Sequence, residues 1–301
     1  MSDWLVSLEG TAAGHDLALM LALGAAVLHA IFGALQKGRA DPWLSRAAID
    51  ACYGLIALPV ALFVVPWPEP HLWPILAGVF VIHAIYKLLQ AAAYDRGAYM
   101  VVYPVVRGMG PLVTVILAGL VFGEDFAPGQ WLGVALLSGG ILALAGWNWQ
   151  MAARTGGTGS LGPALGFAGL TGVMVAAYTT YDAWGIRATA DPFTFLAWFF
   201  VVDSPLIPAL THRRWRALPR SDILSLLRRG VTGAMVAFAS FGAIMLATRL
   251  DKVGEAAVLR ETSTVFAALI GWLMLGERPG VVPVILMALV ATGAVMVEFW
   301  G

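Results

Sequence analysis

The chain has 301 residues, of which 60% are hydrophobic and 12% charged, with 18 basic and 18 acidic side chains and no net charge. A soluble domain is about 25% charged, so too little polar surface remains here to face water, and lipid is the natural solvent. The charge balance argues against a nucleic-acid footprint, and Cys52, standing alone, excludes an internal disulfide or a cysteine-built metal site.

Residues 1–16 contain Asp3, Glu9 and Asp16 but no Lys or Arg, so they read as a short N-terminal tail without the basic start of a signal peptide. A helical span needs about 20 apolar residues. Ten are expected, over 17–36, 44–65, 72–94, 99–122, 130–149, 162–185, 192–210, 223–250, 254–275 and 281–300. Gly and Pro punctuate the gaps, as in Pro66-Trp67-Pro68, Pro128-Gly129, Gly156-Gly157 and Pro279-Gly280. Trp43, Trp67, Trp73, Trp131, Trp147, Trp149 and Trp300 fall at span ends, where an interfacial belt accounts for them without a ligand.

The sequence repeats itself. Asp41-Pro42 recurs as Asp191-Pro192, a shift of 191 − 41 = 150, and Gly123-Glu124 recurs as Gly276-Glu277, a shift of 276 − 123 = 153. The second shift carries Arg107 onto Arg260. The expected organisation is a first five-helix repeat over 17–153, a linker over 154–161 and a second repeat over 162–301. Five crossings is an odd number, so the second copy must enter the membrane inverted. Transporters are often built this way, with the substrate site at the repeat interface.

Loop charges also differ by side. Twelve Lys and Arg, six of them between Arg213 and Arg229, flank the loops after the odd-numbered spans, against Arg187, Arg249 and Lys252 on the other side. The rule that cytoplasmic loops are basic would place both termini in the periplasm.

Two stretches carry a family resemblance: YPVVRGMGPLVTVILAGLVFGE (103–124) with QWLG (130–133), and LRETSTVFAALIGWLMLGE (259–277). Together with HAIYKLLQAAAY (83–94) and AAYTTYDAWGIR (176–187), they make the chain resemble the drug/metabolite transporter superfamily, in its EamA-like ten-helix branch. The resemblance covers nearly the whole chain. It implies an all-α membrane protein: ten transmembrane helices as two inverted five-helix repeats around a central cavity, lined mainly by spans 1, 3, 4, 6, 8 and 9. It also implies cytoplasmic termini, against the loop charges.

A charge at a helix centre costs roughly 2.5–3.5 kcal/mol on insertion scales, so such residues usually face a cavity or a partner. Among the basic residues that fall inside the expected spans, three stand out: Lys87, Arg107 and Arg260. His83, Lys87 and Gln90 share one face of span 3, as a cavity wall or as an amphipathic stripe against another helix. Tyr103 and Arg107 share a face of span 4, four residues before the kink expected at Pro111. Arg107 either meets substrate, caps the carbonyls freed by proline, or pairs with Glu261. Arg260 and Glu261 are adjacent in span 9. An arginine fork suits carboxylate or phosphate, and a salt bridge between the repeats is the structural alternative. Tyr178, Tyr181 and Asp182 lie together on span 6, and Asp182 could neutralise Lys87, bind an ammonium or carry a proton. His29 in span 1 has the depth for a cavity wall or a proton relay, with a satisfied core histidine as the structural alternative. Asp203 reads as a structural pair, since its span is peripheral in the family, and Glu124 and Glu277 read as helix-end contacts.

The function expected is a secondary transporter that moves a small polar metabolite, an amino acid or a small organic anion, across the cytoplasmic (inner) membrane by alternating access, with export admissible. No GxxxxGK[ST] stretch occurs, so ATP drive within the chain is not expected. No catalytic residue, metal or cofactor is expected. The partners are a small-molecule substrate and membrane lipid, with a homodimer admissible and nucleic acid not expected. The alternatives are a membrane-embedded enzyme, with His29, His83 and Asp182 as ligands or a proton-transfer set, and a non-transporting membrane partner protein.

Overall fold

A computed structural model describes residues 2–36, 41–96, 99–154, 161–275 and 280–300, and the described residues are almost wholly α-helical. The helices are α1 (Ser2–Ser7), α2 (Ala12–Gln36), α3 (Pro42–Phe63), α4 (Leu72–Arg96), α5 (Tyr99–Phe122), α6 (Pro128–Arg154), α7 (Leu161–Arg187), α8 (Pro192–Asp203), α9 (Leu206–Arg216), α10 (Arg220–Leu250), α11 (Val253–Glu261), α12 (Ser263–Leu275) and α13 (Val281–Phe299). Among the described residues, nine segments are long and apolar enough to cross a membrane, the interrupted pair α8–α9 counting as one. The remaining expected span is divided into α11 and α12. The tail is not featureless: it holds α1, and α2 starts at Ala12, ahead of the expected span.

The repeated Asp-Pro pair has a local explanation. Asp41 accepts hydrogen bonds from the backbone N–H of Trp43 (2.8 Å) and Leu44 (3.3 Å), and Asp191 accepts from Phe193 N–H (2.9 Å). Each Asp is an N-cap, and the proline that follows sits where a missing N–H costs nothing.

Two expected spans are broken, and both breaks have a chemical cause. Between α8 and α9 stand Ser204 and Pro205; the proline ring cannot donate to the preceding turn. Between α11 and α12, the Thr262 hydroxyl donates to the Leu259 carbonyl (2.6 Å), and its N–H also turns back to that carbonyl (3.1 Å). Such local bonds compete with the helix ladder. In each case the last residue before the break is a buried acid, Asp203 or Glu261.

The chain divides into two compact units, one of Met1–Ala84 with Asp182–Leu250 and one of Ile85–Tyr181 with Asp251–Gly301. Each unit draws on both halves of the sequence. In the first, α10 packs on α2 and α3, and α3 packs on α8 and α9. Here α7 and α10 cap each other. Arg249 donates to the carbonyls of Ile186 and Thr189 and pairs with Glu9 (2.5 Å), while Arg187 Nε donates to the Thr248 carbonyl (2.9 Å). Helix-end carbonyls that would otherwise stand bare are thus satisfied.

In the second unit α6 packs on α13 and on α5, and α11 packs on α5. A Cβ on Gly293 would fall 2.5 Å from the Gly133 carbonyl oxygen, so α6 and α13 touch backbone to backbone. Without a hydrophobic drive in lipid, such close approach is a main source of helix association. Gln130, three residues before Gly133, donates to Val297 O (2.9 Å) and Glu255 Oε1 (2.7 Å). The QWLG segment therefore ties α6 to both α13 and α11.

Candidate functional site

The second unit gathers two of the expected residues, Arg107 and Arg260, around the carboxylate of a third, Glu261. Glu261, the last residue of α11, has a side chain only 1% exposed. Its Oε2 lies 2.8 Å from Arg107 Nε of α5, and its Oε1 lies 3.6 Å from Arg260 Nε. Neither Nε directs its N–H along the contact, so these are ion pairs rather than aligned hydrogen bonds. The outer nitrogens find hydroxyls: Arg107 Nη2 donates to Ser263 Oγ (3.1 Å), and Arg260 Nη2 makes a long bond to Thr179 Oγ1 (3.4 Å). The guanidinium of Arg107 also lies 5.9 Å from the Tyr103 ring centre. Two guanidiniums and one carboxylate sum to 2 − 1 = +1 in a buried site. An arginine cannot shed its proton to relieve that excess.

Aromatic hydroxyls stand in the same unit. Gln90 Nε2 donates to Tyr86 OH (2.8 Å), and the Tyr86 ring meets Tyr178 edge to face at 4.9 Å. Tyr178 is buried, Tyr181 half-buried, and Lys87 is buried on α4. Tyr86 was not among the expected site residues, although its position four before Gln90 is a neighbour spacing on a helix.

The first unit gathers the opposite stoichiometry. His83 of α4 lies between two acids: its Nε2 is 3.0 Å from Asp182 Oδ2 of α7, and its Nδ1 is 3.5 Å from Asp203 Oδ1 of α8. Tyr53 of α3 donates to the other Asp203 oxygen. All four side chains are buried, and the Phe199 ring closes on the imidazole edge to face at 5.1 Å. Asp182 was expected to neutralise Lys87, bind an ammonium or carry a proton; its described partner is His83. Asp203 was expected in a structural pair, and it pairs with the same histidine. His29, half-buried on α2, has its ring 6.3 Å from Phe32.

Glu124 has a role of its own outside both clusters. Its two oxygens accept the N–H groups of Val253 (2.7 Å) and Gly254 (3.0 Å), which cap the start of α11. This is the helix-end contact expected of it; Gly276 and Glu277, its repeat counterparts, lie outside the described residues. Lys252, between α10 and α11, donates to Glu255 (2.8 Å). Burial pulls its ammonium group down, but the bond to Glu255 and the charges of Glu255, Asp251 and Glu124 outweigh that and hold it above the ordinary lysine value.

The family model for the EamA-like transporter family matches residues 16–146 and again 162–299. The chain belongs to the EamA-like transporter family. It is thus a multi-pass membrane transporter of the drug/metabolite type, and its all-α make-up with apolar helices of membrane length fits that family. An uncharacterized protein, y4nH, of Sinorhizobium fredii (strain NBRC 101917 / NGR234) is 34% identical over 103 residues, 33% of this chain and 88% of that protein. A solved crystal structure superposes with a TM-score of 0.72 over 96% of this chain and 99% of the other at 20% identity, a likeness of fold.

Proposed function

We propose that this EamA-like transporter moves small metabolites bearing a carboxylate, amino acids or small organic anions, across the cytoplasmic membrane by alternating access. The observation that carries this reading is the uncompensated positive charge at Arg107, Glu261 and Arg260. A buried ion is costly unless paired. Two guanidiniums sharing one carboxylate leave donors for a second, which a substrate would supply in the bidentate manner arginine favours. The hydroxyls of Ser263 and Thr179 would steady the forks. The tyrosines and Gln90 provide polar contacts for the rest of a small molecule.

The test is uptake of radiolabelled alanine, glutamate, succinate and glucose by proteoliposomes containing the purified protein. Saturable uptake of one or more carboxylates, competed by others and not by glucose, is expected. Saturable transport of glucose alone would overturn the substrate class.

A further inference from the structure

The first unit carries a basic surface that the substrate reading does not use. Its six arginines are Arg213, Arg214 and Arg216 on α9 and Arg220, Arg228 and Arg229 on α10, all exposed. One small apolar cluster brings these helices together. Leu44 and Ala48 of α3 pack with Leu226 of α10, and Trp215 and Leu218 close on them from the end of α9. A Cβ on Gly230 would fall 2.8 Å from the Ala48 carbonyl oxygen, so this turn of α10 touches the α3 backbone. Leu226 and Gly230, four apart, therefore mark the packed face of α10. Arg228 is two residues from each and stands about 160° round the helix from both, on the opposite face.

That opposite face is apolar. Leu224, Leu227 and Val231 surround Arg228, and the stripe continues through Met235 to Phe238, all with exposed side chains. At 1.5 Å per residue it runs about 21 Å, more than half of the roughly 30 Å hydrocarbon core of a bilayer. Its length and exposure make it a lipid-facing surface with an arginine set into its upper part. Among the described residues, Arg214 is the one of the six with an acid partner, Asp41 Oδ2 at 3.4 Å. The six arginines and the two acids of these segments, Asp41 and Asp222, sum to 6 − 2 = +4. An arginine beside lipid reaches back toward the headgroups, where its planar fork matches two phosphate oxygens.

We propose that the corner of α9 and α10 binds an anionic phospholipid. Arg228 and Arg229 hold the phosphate, and the Leu224–Phe238 stripe takes an acyl chain. The other four arginines supply a field that favours a headgroup without a compensating ammonium. Cytoplasmic leaflets are anionic and attract basic segments beside membrane helices, and that is the side to which the loop-charge rule assigns this corner. The stripe is what distinguishes a lipid from a soluble phosphate, which would use the arginines alone. The proposal does not depend on which metabolite the protein carries.

The full-length protein in detergent is titrated with phosphatidylglycerol or with phosphatidylcholine of the same chains, and bound lipid is counted by native mass spectrometry. Wild type should hold phosphatidylglycerol more tightly than phosphatidylcholine. The double variant Arg228→Gln, Arg229→Gln should lose about thirtyfold in phosphatidylglycerol affinity, the worth of two arginines near an anionic surface. Its phosphatidylcholine affinity and its lipid-free melting temperature should match wild type. Equal phosphatidylglycerol affinity in the two proteins would overturn the site. Should the variant not fold, the wild type decides alone: phosphatidylglycerol held no better than phosphatidylcholine would overturn the proposal. Inorganic phosphate at the same concentration should not displace the lipid, and displacement would make this a soluble-anion site and overturn the lipid assignment.

Discussion

The first unit buries two carboxylates around one imidazole; the second buries two guanidiniums around one carboxylate. The second cluster carries one positive charge more than it pairs. The two clusters differ in whether their charge can change. Carboxylates and imidazole can neutralise by taking or losing a proton, whereas arginine stays charged under any condition a membrane protein meets. The charge of the groups in the first unit is therefore adjustable. The excess in the second is permanent and needs a counter-anion. Both clusters also sit where a helix is interrupted, at Asp203 and at Glu261. Irregular backbone at membrane depth is tolerated where protein or a water-filled cavity covers it.

The sharpest way to break this contrast is to remove the minority charge from each cluster. Glu261→Gln leaves Arg107 and Arg260 buried without a carboxylate, and breaking a buried pair costs about 3–5 kcal/mol. His83→Gln leaves two acids that can each accept a proton, so its cost should fall within about 1–3 kcal/mol, the range for a disrupted buried polar group. Thermal unfolding in detergent at neutral pH should show the larger drop in melting temperature for Glu261→Gln. Equal drops would mean that the second cluster relieves its charge by some other route.

Removing a majority charge sharpens the same point from the other side. Arg260→Met keeps the closer pair of Arg107 with Glu261 and takes away the excess, so stability should change little. Substrate binding should suffer instead. Losing a charged hydrogen bond costs about 1.5–3 kcal/mol, which is about 10–100-fold in affinity. A fall in uptake rate at low carboxylate concentration with an unchanged melting temperature is expected. Loss of both together would make Arg260 a structural residue.

Much of the fold was legible because apolar runs of span length admit few other readings in water-poor sequence. Charges inside such runs stand out, and Lys87, Arg107 and Arg260 are all buried. The meeting of Arg107 with Glu261 was foreseen as one of three alternatives, but no spacing rule could select it, since it depends on how α11 packs on α5. The break at Pro205 had a visible signal in the proline; the break at Thr262 did not, because threonine is common inside spans. Tyr53 and Tyr86 escaped notice for a different reason. Tyrosine is equally at home in an interfacial belt and in a buried hydrogen bond, so only its partners, Asp203 and Gln90, reveal which it is. Asp203 was set aside on the expectation that its helix is peripheral, and its contact with His83 gives it a place beside Asp182.

A smaller effect separates the two broken helices by how their starts are held. α8 is capped by its own Asp191, whereas Lys252 offers α11 no side-chain cap and Glu124 supplies one from the loop after α5. Asp191→Ala and Glu124→Ala should each cost about 1 kcal/mol, the usual value of an N-cap. Only Glu124→Ala should also loosen the segment that carries Arg260 and Glu261. Amide hydrogen exchange over 253–261 should quicken in that variant and stay unchanged in Asp191→Ala. Equal protection in both would show that packing of α11 on α5, rather than the cap, fixes the site.

The smallest effect concerns Lys252, which lies beyond the span ends and is partly exposed. Its folded value is held above the unfolded one by Glu255. A raised value means that the contribution is complete below the unfolded lysine value, about 10.4, and is lost as pH climbs through the folded one. Half-exposed pairs of this kind are worth about 0–1 kcal/mol, so the alkaline loss in melting temperature should be slight and absent from Lys252→Met. The comparison with Arg260 then becomes exact in kind. A lysine near water can be discharged by base, and its pair with Glu255 fades. The guanidiniums at Glu261 keep their charge across the same range, so the melting temperature of Glu261→Gln should remain depressed at alkaline pH instead of converging on the wild type.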